Sequence, residues 1–493
     1  MRLKGFALFS FLAVLLLAVA AAALLFLLPQ TATPQPYPTC PGCNVIIIEF
    51  DCFNRDHAGY LGYFRNTTPN LDALAKRSAV FPEAFSSTQF TEPSDYSLFT
   101  GLHLSEHGRV GENFIRTAGI NNSPSNRPLE FLPEKLNAAG YETAAFVGAT
   151  LTYEELREVG FSSAYYGGCN KCFGKTVGKA TDWLRERNRE KPFFLFLQSY
   201  SLHDPYHGPG EDHFDPEYDG IVNNLSLSWS YTQFIPFESG GFRAVENFPY
   251  TDTKEFLVTS RDLENVVAKY DGILQRTDEE LGIFLKNIEE LGLAEKTVII
   301  FLSEHGEVLD TETGVFGHGY VGRETFKVPL LIFVPKSPSR NLTGAVSTKD
   351  VFYAVQEILG TQEYPEENDL FLEENRGYAA ADIIVLSNET LRRDPTALLL
   401  VKIFSGESSL DFAYSAREGW AGIIDDSQVN DGREIRGMLE FFKKEHPGTR
   451  IKGASPTDEA EPGWIGEVAE RISPNDSTEV SWALHRMLVF LSG

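Results

Sequence analysis

Short apolar runs recur along the chain, and they constrain its fold more than any other feature. They lie at Val45–Phe50, Thr143–Val147, Phe193–Leu197, Val298–Leu302, Leu330–Val334 and Ile383–Leu386. Most are rich in β-branched or aromatic residues and do not alternate with polar ones, which is typical of strands buried on both faces of a largely parallel sheet. Helical patterns separate the runs. The sequence therefore predicts an α/β sandwich, with helices on both faces of a mostly parallel central sheet.

The N-terminus carries an uncharged apolar run, Gly5–Leu28, behind Arg2 and Lys4. Its 24 residues suffice to cross a bilayer, which predicts a signal anchor, a single transmembrane helix with its positive end inside. Cleavage after Ala20–Ala23 would instead give a secreted chain. On either interpretation, we expect the rest of the chain to lie outside the cytoplasm.

Composition changes along the chain predict four segments. Residues 1–30 form the anchor, and residues 31–43, rich in Pro and Thr, form a short stalk. Residues 44–340 hold most of the predicted strands and helices and form the main core, whereas residues 341–493 have shorter apolar runs and more Gly, Asp and Pro. This last segment is predicted to be a smaller α+β subdomain. The formal net charge of −26 leaves no basic surplus to neutralise phosphates, so no nucleic-acid partner is expected.

The five cysteines have a specific meaning in an exported chain. Cys40 and Cys43 form one CxxC pair, and Cys169 and Cys172 form another. Structural disulfides are favoured outside the cytoplasm, although four thiolates could also bind zinc, and spacing does not decide the connectivity. Cys52 is left over.

Polar residues follow three of the predicted strands. Asp51 follows the first run, His203 and Asp204 follow the run at 193–197, and Glu304 and His305 follow the run at 298–302. In open α/β sheets, ligands bind at the carboxyl ends of strands. Carboxylates together with imidazoles suit a divalent cation, so this edge predicts a metal site.

A hydroxyl group is available near that edge. Thr91 precedes Pro93 and a helical pattern, so it could lie at a helix N-terminus. It could act there as a simple cap, or a bound metal could activate it to attack a phosphorus or sulfur centre.

Five stretches, in chain order, resemble the sulfatase branch of the alkaline phosphatase superfamily. They are NVIIIEFDCFNRDHAGYLGYFRNTTPNLDALAKRS, FTEPSDYSLFTGLHLSEHG, HDPYHGP, AKYDGILQRTDEELGIFLKNIEELGLAEKTVIIFLSEHGE and FGHGYVGRETFKVPLLIFVP. The resemblance covers about Asn44 to Pro335 and implies that family's sandwich fold.

The resemblance also implies roles for six residues. One divalent cation (Ca²⁺, Mg²⁺, Mn²⁺ or Zn²⁺) would be bound by the metal ligands Asp51, Glu304 and His305, and the catalytic residues would be Thr91, His203 and His318. Thr91 would attack the ester and form a covalent intermediate, while the two histidines hold the anion or protonate the leaving oxygen. A second metal at Asp204, His207 and His318 remains open. The expected substrate is an anionic phosphate or sulfate ester, on a lipid or a glycan.

Four positions depart from the family pattern. Formylglycine sulfatases need Cys or Ser at the nucleophile, and Thr cannot be converted in that way, so Thr91 favours phosphate esters. Glu304 replaces the usual Asp, and Asp95 stands where relatives have a basic residue. Cys52 occupies a position that is a second Asp ligand in many sulfatases. The alternative is a catalytically degenerate relative with a binding or scaffold role.

Overall fold

The computed structural model describes most of the chain between residues 37 and 364 and parts of the remainder. The described residues are 37–109, 128–148, 153–224, 232–236, 241–246, 254–318, 322–364, 370–371, 379–384, 399–405, 408–415, 420–425, 438 and 450–452. Residues 39–493 form one compact unit.

The strands, numbered in chain order, are β1 Asn44–Phe50, β2 Ala79–Val80, β3 Ala84–Phe85, β4 Glu142–Val147, β5 Ser163–Tyr166, β6 Phe193–Ser199, β7 Thr232–Pro236, β8 Phe242–Glu246, β9 Lys254–Val258, β10 Thr297–Leu302, β11 Val308–Asp310, β12 Val315–Gly317, β13 Leu330–Phe333, β14 Arg340–Asn341, β15 Val346–Ser347, β16 Ala379–Ile384, β17 Leu399–Ser405, β18 Ser408–Ser415, β19 Trp420–Asp425 and β20 Arg450–Lys452.

The α-helices are α1 Pro69–Ala75, α2 Thr91–Thr100, α3 Leu104–His107, α4 Leu132–Ala138, α5 Tyr153–Glu158, α6 Phe173–Glu186, α7 Ser260–Glu290, α8 Arg323–Phe326 and α9 Val351–Leu359. Helix α7 is the longest of these, with 31 residues. Thr259 caps its N-terminus by accepting a hydrogen bond from the Asp262 amide, and the Thr259 amide in turn donates to the Asp262 carboxylate. This satisfies two amides that the helix itself leaves unpaired.

The largest sheet has eight strands in the order β14-β2-β13-β10-β1-β6-β4-β5. Strands β10, β1, β6, β4 and β5 are mutually parallel. Every residue of β1, β6 and β10 is buried, as their unbroken apolar sequences predict. The predicted mostly parallel central sheet is therefore confirmed.

Two predicted strands differ from a simple parallel arrangement. Strand β13, from the run at 330–334, pairs antiparallel with β10. The chain between them holds the β11–β12 hairpin and a four-residue helix rather than the long helix that usually makes a parallel crossover. The run at 383–386 overlaps β16, which belongs to a separate five-stranded sheet, β16-β17-β18-β19-β20. Apolar content identifies a strand but not its sheet or direction.

The predicted domain boundary at 340/341 lies within edge strand β14, which pairs with β2 of the main sheet. A separate C-terminal subdomain stays a prediction. The predicted anchor lies outside the described residues, and within the described part of the chain no helix is long and apolar enough to cross a membrane.

Both CxxC pairs form disulfides, Cys40–Cys43 and Cys169–Cys172. Structural disulfides were favoured over a four-thiolate zinc site, and this is the arrangement observed. Cys52 is a free, buried thiol.

Candidate active site

Three neighbouring parallel strands end at the same edge of the sheet and deliver the predicted residues there. Asp51 follows β1, His203 lies four residues beyond β6, and Glu304 and His305 follow β10. The Asp51 amide still donates to the carbonyl of Ser199 at 2.9 Å, so the ladder between β1 and β6 continues to the turn. The edge predicted from sequence is therefore where these side chains meet.

Asp51, Glu304 and His305 form a buried group whose ligand atoms all lie within 4.8 Å of one another. Nε2 of His305 lies 3.7 Å from Oδ1 of Asp51 and 3.7 Å from Oε1 of Glu304. Apart from a proton that the two carboxyl groups share and the Cys52 thiol beside Asp51, no donor in the described part of the chain forms a hydrogen bond of ordinary geometry with their four oxygen atoms. Buried oxygens without donors are costly, and a cation would satisfy them.

The pKa values of the Asp51 and Glu304 carboxyl groups shift in opposite directions. Burial, followed by repulsion from Asp51 and Glu49, raises the pKa of Glu304 well above its usual value. Burial alone would raise the pKa of Asp51 too, but His203, the hydrogen bond with Glu304 and His305 together lower it. Without a cation, Glu304 therefore keeps a proton while Asp51 is ionised.

Thr91 is the first residue of helix α2. Its Oγ1 lies 3.2 Å from Nε2 of His305, so its hydroxyl reaches the buried carboxylate group through a single imidazole. Phe90, and not Thr91, occupies the N-cap position. The capping interpretation of Thr91 is thus not what the structure shows.

Three imidazoles, those of His203, His305 and His318, cluster at the site. The ring centroids of His318 lie 4.6 Å from His305 and 4.8 Å from His203. Each ring already has a partner at Nδ1. Nδ1 of His203 lies 3.0 Å from the Asp204 carboxylate, and Nδ1 of His305 lies 2.9 Å from the Gly306 carbonyl. Nδ1 of His318 lies 3.0 Å from the Glu307 carboxylate. Contacts of this kind fix the tautomer and leave Nε2 for substrate or metal.

Electrostatics distinguishes two of these histidines. Burial opposes charge on His203, but the hydrogen bond and charge of Asp204, together with Asp51, raise its pKa to about 9. Burial, with the neighbouring His318 ring, lowers the pKa of His305 to about 3. At neutral pH the first can present a positive N–H to an anion, and the second a neutral lone pair.

Cys52 lies beside this cluster in the left-handed region, with φ of 58°, an uncommon conformation for a residue with a side chain. The Tyr270 hydroxyl donates to its carbonyl at 2.8 Å, and the Phe53 amide donates to Ser303 Oγ at 3.1 Å, which holds the turn. Its Sγ lies 3.5 Å from Nδ1 of His318. Cys52, His305 and His318 form a second group of possible ligands within 4.8 Å.

Asp95, which stands where relatives have a basic residue, does not face the anion as an isolated charge. It is fully buried on α2 and hydrogen-bonds to Glu49 of β1, whose other oxygen accepts from Gln198 at 2.9 Å. Burial and the Glu49 carboxyl raise the pKa of Asp95 well above its usual value, and burial raises that of Glu49 to about 8. Both shifts favour the protonated, neutral form of Asp95. Glu49 was missed because a polar residue inside a buried strand carries no recognisable motif.

Lys171 is a site residue that sequence reasoning missed. It lies inside the Cys169–Cys172 disulfide loop, and its ammonium group donates to the carbonyls of Ser201, at 3.1 Å, and of His203. Burial is the largest influence and lowers its pKa, against attraction from Cys52 and nearby carboxylates. The signal available in the sequence was a basic residue between two paired cysteines.

The predicted second metal set does not come together. Nδ1 of His207 lies 3.4 Å from the carboxylate of Glu211, and neither group of possible ligands in the described residues contains His207 or Asp204. His318, the third member of that set, lies instead with Cys52 and His305. The spacing from Asp204 to His207 thus reflects a turn and not a ligand pair.

The sequence model of the Sulfatase family matches residues 43–361. The chain belongs to the sulfatase family. It is accordingly an ester hydrolase of the alkaline phosphatase superfamily, and the predictions of family and enzyme class are confirmed at that level. A divalent metal is typical of this family, and the donor set of Asp51, Glu304 and His305, with its unpaired oxygens, fits one.

Individual relatives are distant. A sulfatase of Formosa agariphila is 24% identical over 369 residues, which span 65% of this chain and 70% of that protein. The human N-sulphoglucosamine sulphohydrolase is 26% identical over 329 residues, spanning 62% of this chain and 60% of that enzyme. The crystal structure of a phosphonate monoester hydrolase of Agrobacterium radiobacter superimposes with a TM-score of 0.57 at 19% identity, covering 82% of this chain and 94% of that one. This last likeness shows the fold.

Proposed function

We propose that this family member is a cation-dependent hydrolase or transferase of phosphate esters with Thr91 as nucleophile, anchored in the membrane and acting outside the cytoplasm. The observation that carries the proposal is the position of the Thr91 hydroxyl, 3.2 Å from Nε2 of His305 and at the N-terminus of α2. The unpaired carboxyl groups of Asp51 and Glu304 complete the setting.

Asp51, Glu304 and His305 would hold the divalent cation. When bound, the cation supplies positive charge that lowers the pKa of a neighbouring hydroxyl and neutralises oxygen atoms on the ester. Two carboxyl groups and one imidazole are compatible with Ca²⁺, Mg²⁺, Mn²⁺ or Zn²⁺.

The chain's own residues account for the bond changes. Thr91 Oγ1 loses its proton and forms a bond to phosphorus, while the bond from phosphorus to the leaving oxygen breaks and that oxygen takes up a proton. Water, or a second alcohol in a transferase, then forms the new bond to phosphorus and returns the threonine hydroxyl. Amides at the start of α2 face the developing anion.

Three side chains are suited to the anion and the leaving group. His203 carries a proton held by Asp204 at 3.0 Å, and His318 is oriented by Glu307 at 3.0 Å, so either can donate to an ester oxygen. Lys171 adds a buried positive charge behind His203. Together they offset the negative charge of the carboxylates next to an anionic substrate.

A sulfated glycan is the second candidate substrate. The name of the human relative states that it acts on N-sulphoglucosamine, and a sulfate ester has the same tetrahedral shape as a phosphate ester. Thr91 favours phosphorus, because the aldehyde hydrate of formylglycine sulfatases cannot form from threonine. The degenerate alternative, a binding or scaffold protein, would leave Thr91 without a role.

The test compares wild type, Thr91→Ala and Thr91→Ser on aryl phosphate, aryl phosphodiester, aryl phosphonate and aryl sulfate. Loss of a nucleophile costs on the order of 10⁶ in kcat in another covalent hydrolase, so we expect the alanine variant to lose at least about 10³-fold. The serine variant keeps a hydroxyl and should retain measurable turnover. Acid-quenched wild type should carry one phosphoryl group on residue 91 by mass spectrometry.

Three results would oppose the proposal. Equal turnover by wild type and the alanine variant would remove Thr91 as nucleophile. Turnover of sulfate alone would favour the second candidate, and no turnover or cation binding at all would favour the degenerate one. The anchor is tested separately, since the mature chain should remain in the membrane fraction after an alkaline wash.

A further inference from the structure

A disulfide loop lies against the segment that carries His203, and the proposed reaction gives this crosslink no role of its own. The loop is Cys169-Asn170-Lys171-Cys172, between the end of β5 and the start of α6. Its two cysteines are partly exposed, whereas the Lys171 ammonium group reaches main-chain carbonyls in the turn after β6. A small dithiol in solution can therefore reach the crosslink without entering the buried site.

The Lys171 ammonium group fixes the turn that presents His203. It donates to the carbonyls of Ser201, at 3.1 Å, and of His203, and its nitrogen lies 5.9 Å from the centroid of the Tyr200 ring. That ring stacks on His203, with 4.4 Å between the ring centroids. One ammonium group thus holds the main chain of this turn and places a positive charge beside the histidine assigned to the ester anion.

Keeping an ammonium group in this position requires a constraint on its main chain. Burial is the largest influence on Lys171 and lowers its pKa, because a charged group loses hydration when it leaves water. The connection from β5 begins with Gly167 and Gly168, the residue type that restricts the main chain least. The disulfide closes residues 169–172 into a ring that ends at the N-cap of α6. This ring excludes main-chain conformations in which Lys171 would return to water.

Gly148, directly after β4, lets the loop and the turn approach each other closely. A Cβ atom at this position would lie 3.1 Å from atoms of Tyr200 and 3.5 Å from the carbonyl oxygen of Asn170. The disulfide loop and the turn therefore meet across this glycine. A shift of the loop would move the Lys171 side chain relative to His203.

We infer that the Cys169–Cys172 crosslink is a positioning device for Lys171, so that the site reaches its full affinity for an ester anion only when this disulfide is formed. Reduction breaks the S–S bond: a dithiol supplies two electrons and two protons, two cysteine thiols form, and the dithiol becomes a cyclic disulfide. Because disulfides form outside the cytoplasm, an exported chain would complete its anion site after export. This inference rests on the proposed function, which assigns Lys171 to the anion site.

The test measures binding of inorganic phosphate to the purified full-length protein by calorimetry, in excess Mg²⁺, before and after reduction with dithiothreitol. Cys40→Ser/Cys43→Ser is the matched variant, because Cys169–Cys172 is then the only crosslink. The pair that it lacks precedes β1, about 25 Å along the strand from Asp51. We expect reduction to weaken phosphate binding by roughly tenfold or more in both proteins, as for the loss of one charge-assisted contact.

Lys171→Met separates positioning of the ammonium group from a general structural role. Without reductant it should bind phosphate as weakly as reduced wild type, and reduction should weaken it no further, since the charge is already absent. In turnover of an aryl phosphate, reduction of wild type should raise KM and change kcat by less than about threefold. Cys169→Ser/Cys172→Ser should behave as reduced wild type does. If it does not fold, the oxidised and reduced states of Cys40→Ser/Cys43→Ser still decide.

Three results would overturn the inference. One is unchanged phosphate affinity after alkylation and mass spectrometry show that Cys169–Cys172 is reduced. Another is an equal loss of affinity on reduction of Lys171→Met and of wild type, and the third is unfolding of the reduced protein, because either would make the crosslink structural only. Turnover that is absent or independent of Thr91, together with a redox-dependent phosphate affinity, would refute the proposed reaction and retain this inference. No phosphate binding in either redox state would refute both.

Discussion

Replacing Glu304 by glutamine should stabilise the metal-free protein and abolish its stabilisation by cations. Glu304 is 1% exposed, and its two oxygens have no donor in the described residues beyond the proton shared with Asp51. Burial and Asp51 raise its pKa above 4.5. The folded protein therefore keeps this proton to a higher pH than the unfolded chain does, and above the unfolded pKa this difference lowers the free energy of unfolding.

The magnitude follows from proton linkage. A carboxyl group held protonated at pH 7 and titrating at 4.5 when unfolded costs up to about 3 kcal/mol, at about 1.4 kcal/mol per pH unit. A glutamine amide in the same place does not titrate, so this cost disappears. Burying the amide's own polar atoms without partners costs about 1–2 kcal/mol, which offsets part of the gain in stability. The net gain is about 1–2 kcal/mol, or a rise of about 2–3 °C if the family-matched residues 43–361 unfold as one cooperative unit.

Added cation should raise the melting temperature of wild type much more than that of Glu304→Gln. A cation at 100 times its dissociation constant stabilises wild type by about 2.7 kcal/mol, which is about 4 °C on the same scale. With one carboxylate replaced by an amide, we expect most of this shift to disappear. The assay is thermal unfolding of both proteins with chelator and with excess Ca²⁺, at pH 7 and pH 5.

Glu307→Gln is the matched control, because Glu307 is equally buried but accepts hydrogen bonds from Tyr206 and His318. This variant should lower the melting temperature of the metal-free protein. The reasoning about Glu304 is refuted if Glu304→Gln also melts lower than wild type at pH 7, or if its gain does not shrink at pH 5, where the linkage cost falls below about 1 kcal/mol.

Three further predictions concern other buried ionisable groups. Burial lowers the pKa of His107 to about 3, so below a pH of about 6.5 the unfolded chain binds a proton that the native chain does not. Urea unfolding should therefore show that the free energy of unfolding falls by about 1.4 kcal/mol from pH 7.5 to pH 5.5, a fall that His107→Gln lacks. An equal fall in both proteins would contradict this prediction. Lys171→Met should raise KM for an aryl phosphate by roughly tenfold or more, since one charge-assisted contact contributes about 1.5–3 kcal/mol. Lys175→Met, on the helix α6 that follows the disulfide loop, is the control, and unchanged KM in Lys171→Met would remove Lys171 from the anion site. Asp95→Asn should keep kcat/KM within about threefold, because Asp95 is already neutral beside Glu49 and an amide can still pair with it; a hundredfold loss would mean that its charge takes part.

Much of the candidate metal site at the sheet edge could be predicted from the sequence. Apolar runs that end in Asp51 and in Glu304 with His305 predicted ligands on neighbouring strands, because parallel strands bring their carboxyl ends to one edge. Strands β1 and β10 are indeed adjacent and in register. The Thr91 position followed from its motif, and the structure brings its hydroxyl to His305. Periodicity and strand ends are local properties, so a single sequence carries them.

Other features depended on residues that meet only after folding. Asp95 of α2 pairs with Glu49 of β1, and Lys171, inside a disulfide loop, reaches the carbonyl of His203. No spacing rule connects such residues, since their contact depends on how separate elements pack. The antiparallel direction of β13 likewise depended on the connection that returns from β10.

The sequence by itself determined which strands exist, which polar residues end them and which family the chain resembles, because burial and strand length are written in short stretches. Only the tertiary structure decided which ring nitrogen of each site histidine is held by a hydrogen bond and which is left free. It also decided how four carboxyl groups share charge, and that Cys52 lies against His318. These are differences of a few ångströms between side chains from distant segments. At that distance, burial makes each contact strong enough to change the protonation state of a side chain and the ligand that it can bind.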